Sequence, residues 1–361
     1  MDSTSSILSC LPEEVLDDIA HNASPADQAS LSRTSRLLNE VATRCLYRNI
    51  TAHTPHQIVR CCETLVRNVS ASAAVRALHI KCWQTSKTLP AYYMLISRAL
   101  KQTRHLQTFT LSHTLDRQKS LLLLVDVFLP NLRDLTITAT KTSYIAKFLH
   151  QHPKIDRLAV FGEMAHDCDL LMPALYSFTG HHSLIRVLAH SSPNFTDLHI
   201  YWYGATNEDY EYSLRPLACS PVKYVSCSEF AWSSQFFDAL TRHIPHLDTI
   251  RLTWDTAPTE SQLKLIDMAL PALNSLYSLD IRPSRLAANV DPAIVQGFET
   301  VTAWGNACAS LGRVHFHAQI LPGYAQTAAH HSFARALLGR TASSCLWACS
   351  SRGNTQIQWQ I

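Results

Sequence analysis

Histidine and cysteine, nineteen and eleven copies in 361 residues, are the side chains here best suited to chemistry. Imidazole titrates near neutral pH and ligates metals; a thiolate is a nucleophile or a metal ligand. His181-His182 and His330-His331 are adjacent pairs, and neighbouring side chains on one helix or strand point apart. No cysteine stands at chelating spacing from either pair. Cys61-Cys62 and Cys345-x-x-x-Cys349 lack the second half of a tetrahedral zinc site. There is no Gly-x-Ser-x-Gly elbow, no His-Glu-x-x-His, and the nine glycines form no phosphate-binding loop. The expectation is a protein that is not an enzyme, with no catalytic residue, no metal and no cofactor. A hydrolase assembled from scattered Ser, His and Asp is the remaining enzymatic reading.

Bulk properties narrow the class further. Hydrophobic content of 47% with 16% charged residues is that of a globular chain. Net charge is +3, unevenly spread: residues 1–50 hold seven acids and four arginines, which leaves about +6 on the rest. That excess is too dilute for a nucleic-acid surface, which needs a concentrated basic face. The opening Met-Asp-Ser-Thr-Ser-Ser lacks the basic start of a signal peptide, and the longest apolar run, Leu121 to Leu129, is broken by Asp126. The cysteines therefore read as reduced, mostly buried thiols in the cytoplasm or nucleus, with no membrane and no nucleic acid as partner.

A repeated phrase supplies the elements that must position any site. Apolar residues at its first, fourth and sixth positions return nine times, beginning at Val75, Leu106, Leu132, Ile155, Phe195, Val222, Leu247, Leu276 and Leu311. Positions four and six alternate as a strand with one buried face requires, and helical stretches fill the gaps: Pro90–Thr103, Ser143–His152, Trp232–His243 and Thr259–Leu270. Strand–helix units at this spacing resemble a leucine-rich repeat, whose units bury their faces only against neighbours. The predicted class is α/β, a solenoid over 75–345 with a parallel strand ladder on the concave side and helices on the convex side. The asparagine such repeats carry three residues after position six is replaced throughout, by Trp83, Thr114, Thr140, Glu163, Tyr203, Phe230, Asp255, Ser284 and Gln319. The forty residues between Ile155 and Phe195 imply an insertion around Met164–Gly180, and Thr355–Ile361 a last strand within a cap at 346–361.

Residues flanking the inward positions face the concave side. The first repeats offer small hydroxyl residues there; the later ones offer His199, Tyr201, Arg251, Asp280, Arg282 and His315, a composition suited to holding another protein. Trp202 and Trp254 sit one residue further along and read as turn-packing core.

Ahead of the repeats, residues 11–50 read as three short helices, with Pro12 at the first helical position and Leu11, Val15 and Ile19 on one face. Ser24-Pro25-Ala26-Asp27 starts a second helix; Leu38, Val41, Ala42, Cys45 and Leu46 mark a third. A unit this small leaves apolar surface for something else. With its Leu31-Ser32-Arg33-Thr34-Ser35-Arg36 core and terminal Leu46-Tyr47-Arg48, the segment resembles an F-box, and in particular the F-box proteins of mushroom-forming fungi. Gln28 departs from that pattern, which has leucine after the aspartate, and weakens the second helix's apolar face. The resulting plan is a tail at 1–10, an F-box at 11–50, a connecting helix within 51–74, the solenoid and the cap.

The resemblance implies a substrate adaptor of a Skp–cullin–F-box ubiquitin ligase. Leu11, Pro12, Val15, Leu16, Ile19, Leu31 and Leu38 would dock on the linker subunit of the cullin-RING ligase, and the repeats would hold a protein substrate. A repeat scaffold unconnected with ubiquitin fits the same residues.

Overall fold

The computed structural model describes residues 11–82, 90–113, 124, 126–138, 143–162, 170–254, 259–283, 298–318, 329–336, 346–351 and 354–358. The chain forms two compact units, residues 1–174 and 175–361.

The first unit begins with helices α1 (Glu13–Asn22), α2 (Pro25–Leu31) and α3 (Arg36–Arg48). Pro12 lies one position earlier than expected, at the N-cap of α1, and its carbonyl accepts the Val15 and Leu16 N–H groups at 3.1 and 3.3 Å. Ser24 and Ser35 cap α2 and α3, each Oγ accepting a backbone N–H at 3.2 Å, from Asp27 and Leu38. The three helices close on Leu16, Ala20, Leu38 and Val41, with Leu11, Leu31 and Cys45 packed around them. Then follow β1 (Asn49–Ala52), α4 (Pro55–Arg67), α5 (Val69–Ala74), β2 (Ala77–Cys82) and α6 (Pro90–Gln102), and next β3 (Thr108–His113), β4 (Asp134–Thr138), α7 (Ser143–His150) and β5 (Arg157–Phe161). Strands β1 to β5 pair in parallel in chain order, with Ile50, Leu78, Phe109, Leu135 and Leu158 in one register row.

The second unit repeats the scheme through β6 (Ser177–His181), α8 (Ile185–Ser191), β7 (Asp197–Tyr201), α9 (Asn207–Leu214) and β8 (Tyr224–Ser228), then α10 (Ser234–His243), β9 (Thr249–Trp254), α11 (Glu260–Ala269), β10 (Ser278–Pro283), α12 (Phe298–Ala307) and β11 (Arg313–Ala318). Strands β6 to β11 are parallel neighbours in chain order. Each unit thus has the open parallel strand–helix arrangement expected of a leucine-rich-repeat solenoid. Burial alternates along the strands, so Leu198, Ile200, Ile250 and Leu252 go inward while the residues between them stay partly exposed. Ile250 and Leu252 face Phe237, Ile266 and Leu270 across a small pocket lined only by apolar side chains.

Two expectations change. The forty-residue gap is not simply an insertion: β6 lies inside it, with Leu175 twenty residues after Ile155 and twenty before Phe195. Its sixth position is Gly180, which hides the apolar phrase; residues 164–169 lie outside the described residues. The parallel series also ends at β11, where β12 (Ala329–Ala336), β13 (Leu346–Ser351) and β14 (Asn354–Gln358) continue as antiparallel strands.

A backbone ladder joins successive repeats at the N-terminal ends of the strands, the end opposite the missing asparagines. The carbonyl just before β2, β3 and β4 accepts two N–H groups from the next repeat: Arg76 from Gln107 and Thr108, Gln107 from Arg133 and Asp134, and Arg133 from Asp156 and Arg157. In the second unit Thr196, Lys223, Asp248 and Tyr277 accept in the same way, at 2.8–3.0 Å. These turn carbonyls are therefore satisfied without a side chain. Tyr203 and Phe230 stand at two of the asparagine positions, one exposed and one buried; the other seven lie outside the described residues.

Among the described residues the cysteines are free thiols, and no helix is long and apolar enough to cross a membrane. Burial pushes the Cys61 thiol up to about 11 and those of Cys62 and Cys227 to about 12, so these three are packing groups at neutral pH.

Candidate functional site

Two surfaces carry the residues singled out from the sequence. The first is the outside of the N-terminal helices. Leu16 is 1% exposed and Leu38 is buried with it, so both belong to the module's own core and present no docking surface. Val15 and Ile19 are 40% and 49% exposed, and one helical turn apart they share a face of α1 beside the buried Leu16–Ala20 stripe. The buried stripe of α1 is thus one residue out of phase with the Leu11–Val15–Ile19 face expected from spacing. Pro12 is exposed, and Leu11 and Leu31 are half-buried. Leu37, absent from the expected set, is also exposed; its place at the second position of α3, beside inward-facing Leu38, was the available signal.

Polar contacts hold this module in shape. The Arg44 guanidinium reaches Glu13 at 2.6 Å and Asp17 at 2.9 Å, joining α3 to α1. Asn39 Nδ2 donates to the Ser32 carbonyl at 2.6 Å. Such exposed pairs fix orientation more than they add stability.

The second surface is the unburied face of β7 to β11. Register places His199, Ser226, Arg251, Asp280 and His315 in one row across it. Asp280 is buried and receives two arginines: Arg251 Nε donates to Oδ2 at 2.8 Å, and Arg282 Nε to Oδ1 at 3.2 Å, with a second Arg282 bond to Oδ2. The Arg251 guanidinium lies over the Tyr224 ring at 5.4 Å, and that ring is 5.0 Å from His199. Burial, helped by the Arg251 charge, holds His199 below the usual histidine range. Burial also raises the Tyr201 hydroxyl, reinforced by the Glu229 carboxylate.

Strand pairing brings Arg251, Asp280 and Arg282 together, with His199 linked to Arg251 through the Tyr224 ring. Tyr201 lies in the next register row, opposite Ser228. Asp280 is an internal anchor rather than an exposed contact. Tyr224 falls outside the two positions that flank the sixth and stands one row earlier on the same face, where strand alternation is the signal that finds it. His181 and His182 also depart from expectation: one ends β6 and the other opens a short 3₁₀ turn, so their rings approach to 4.2 Å instead of pointing apart. His182 stacks on Trp202, which is buried core as expected; the Trp254 and His317 side chains lie outside the described residues. Among the described residues no group of three His, Cys, Asp or Glu side chains is arranged to hold a metal ion.

Comparison with known proteins places the N-terminal module in a class. Residues 8–53 match the family model described as F-box-like, so the chain carries an F-box-like region followed by parallel strand–helix repeats. No curated protein matches the chain. Among solved structures it is similar to a Bacteroides fragilis protein, with a TM-score of 0.44 and 11% identity over 69% of this chain and 70% of that one.

Proposed function

We propose that this chain is a substrate-recognition adaptor of a Skp–cullin–F-box ubiquitin ligase. In this reading Pro12, Val15 and Ile19, flanked by Leu11, Leu31 and Leu37, dock on the linker subunit, while Leu16 and Leu38 hold their spacing from inside. The open face around His199, Tyr201, Arg251, Arg282 and His315, anchored by Asp280, holds a protein substrate. The chain contributes proximity and affinity, and its partners contribute the ubiquitin chemistry.

The observation that carries the reading is the F-box-like match together with the exposed Val15–Ile19 face, which the module's own core leaves uncovered. Exposed aliphatic pairs of this kind gain from burial against a partner, about 1 kcal/mol or more each. Co-purification of the ligase's linker subunit with the full chain tests it. Wild-type protein retains the subunit, and a Val15→Asp/Ile19→Asp double variant loses it while keeping its melting temperature. A control change at exposed Met268, to Asp, leaves capture intact. Failure of the wild-type chain to retain the subunit sinks the proposal in favour of a scaffold.

A further inference from the structure

We infer that Arg251 and Arg282, fixed by Asp280, form a receptor for the carboxylates of an acidic stretch in the protein substrate. The inference rests on the reading of this face as the substrate-holding surface and names the chemistry that face selects. Its basis is a charge imbalance built into the sheet. Two guanidinium groups share one carboxylate, which leaves the trio one positive charge in excess. The Asp280 side chain is 7% exposed, whereas those of Arg251 and Arg282 are 32% and 33% exposed, so the anion is hidden and the cations meet solvent.

Donor capacity runs the same way. A guanidinium carries five N–H donors, and the bonds to Asp280 take one from Arg251 and two from Arg282. Both forks retain donors for another acceptor, and a carboxylate is the planar, two-oxygen group they fit. Because Asp280 already orders both side chains, and Tyr224 supports the Arg251 plane, a ligand need not immobilise them on binding. Across β6 to β11 the same face also holds Asp197 and Arg313, which cancel, among histidine, tyrosine, serine and threonine; the Glu229 carboxylate, just past β8, acts on Tyr201 in the neighbouring row rather than joining the arginine pair. A single excess charge among aromatic and hydroxyl groups suits a short acidic peptide segment. A nucleic acid would need many more cations along its phosphates.

Fluorescence anisotropy of the full chain with a labelled decapeptide of alternating Ser and Glu, against its Ser–Gln counterpart, provides the test. At low salt the Ser–Glu peptide binds about tenfold or more tighter, and added salt narrows the gap. Arg251→Gln lowers Ser–Glu affinity about tenfold, and Arg251→Lys, which keeps the charge but loses the fork, falls between. Equal binding of the two peptides overturns the inference, and so does unchanged affinity in the folded Arg251 variants. Should Arg251→Gln fail to fold, the peptide pair and the Lys variant decide. Linker capture is measured on the same preparations: capture without peptide discrimination removes this inference and leaves the adaptor reading standing, while peptide discrimination without capture removes the adaptor reading alone.

Discussion

The side-chain amide of Gln28 donates to the backbone carbonyl of Ala20 at 2.8 Å, and to that of Ala23 at 3.1 Å. A buried glutamine on α2 thereby caps the C-terminal end of α1, adding to the Ala23 N–H that the Ala20 carbonyl accepts at 3.3 Å. The residue that departs from the F-box pattern, and that was expected to weaken the second helix's apolar face, instead ties the two helices together.

Removing the Gln28 amide should therefore be costly. Gln28→Ala is expected to lower stability by about 1–2 kcal/mol, the range for a lost buried hydrogen bond, read as the urea midpoint of the full chain. A midpoint unchanged within error would mean the capping bonds contribute nothing.

Leu16 and Val15 are adjacent in sequence but differ in role. Leu16→Ala empties a site in the helical core and is expected to cost about 2–5 kcal/mol, while Val15→Ala stays within about 0.5 kcal/mol. Thermal melts of the two variants check this, and equal losses would place the core on the wrong side of α1.

His152 imposes a pH dependence on the first unit. Its Nε2 accepts the Leu129 N–H at 2.8 Å and its Nδ1 donates to the Phe148 carbonyl at 2.6 Å, so the ring must be neutral to make both bonds. Burial accordingly holds His152 below the usual histidine range. The unfolded chain then binds the proton more readily than the folded one. The stabilisation is complete above about pH 6.5, the unfolded value, and is lost as pH falls from there towards the depressed folded value. Between pH 7.5 and 5.5 the wild type should lose about 1 kcal/mol more than a His152→Asn variant in paired urea titrations. Parallel pH profiles would remove His152 as the cause.

Glu229 and Gly204 both adopt positive φ, 57° and 69°. That region costs a side-chain-bearing residue about 1 kcal/mol and glycine almost nothing. Glu229→Gly should gain up to about 1 kcal/mol, and Gly204→Ala should lose about as much although its added methyl meets open space. Calorimetry of both variants checks the pair; a stabilised Gly204→Ala would contradict the backbone explanation.

Much of the fold was legible because its causes are local. Alternation of apolar residues marked β2 to β5 and β7 to β11, and Ser24 and Thr259 marked helix starts within a residue or two. Where local signals thinned, repeats were lost: β1 offers only Ile50 and Ala52, and β6 has Gly180 at its sixth position.

The site was less legible. Sequence alone put His199, Tyr201, Arg251, Asp280, Arg282 and His315 on a common face, since that follows from a two-residue period within each strand. It did not determine that Asp280 is the buried anchor of two arginines, nor which stripe of α1 faces inward. Both depend on partners more than twenty residues away: Arg251 meets Asp280 only through the register of β9 against β10, and Leu16 meets Leu38 and Val41 only once α3 folds back. Periodicity fixes which side of an element a residue occupies; what covers that side is decided by tertiary packing.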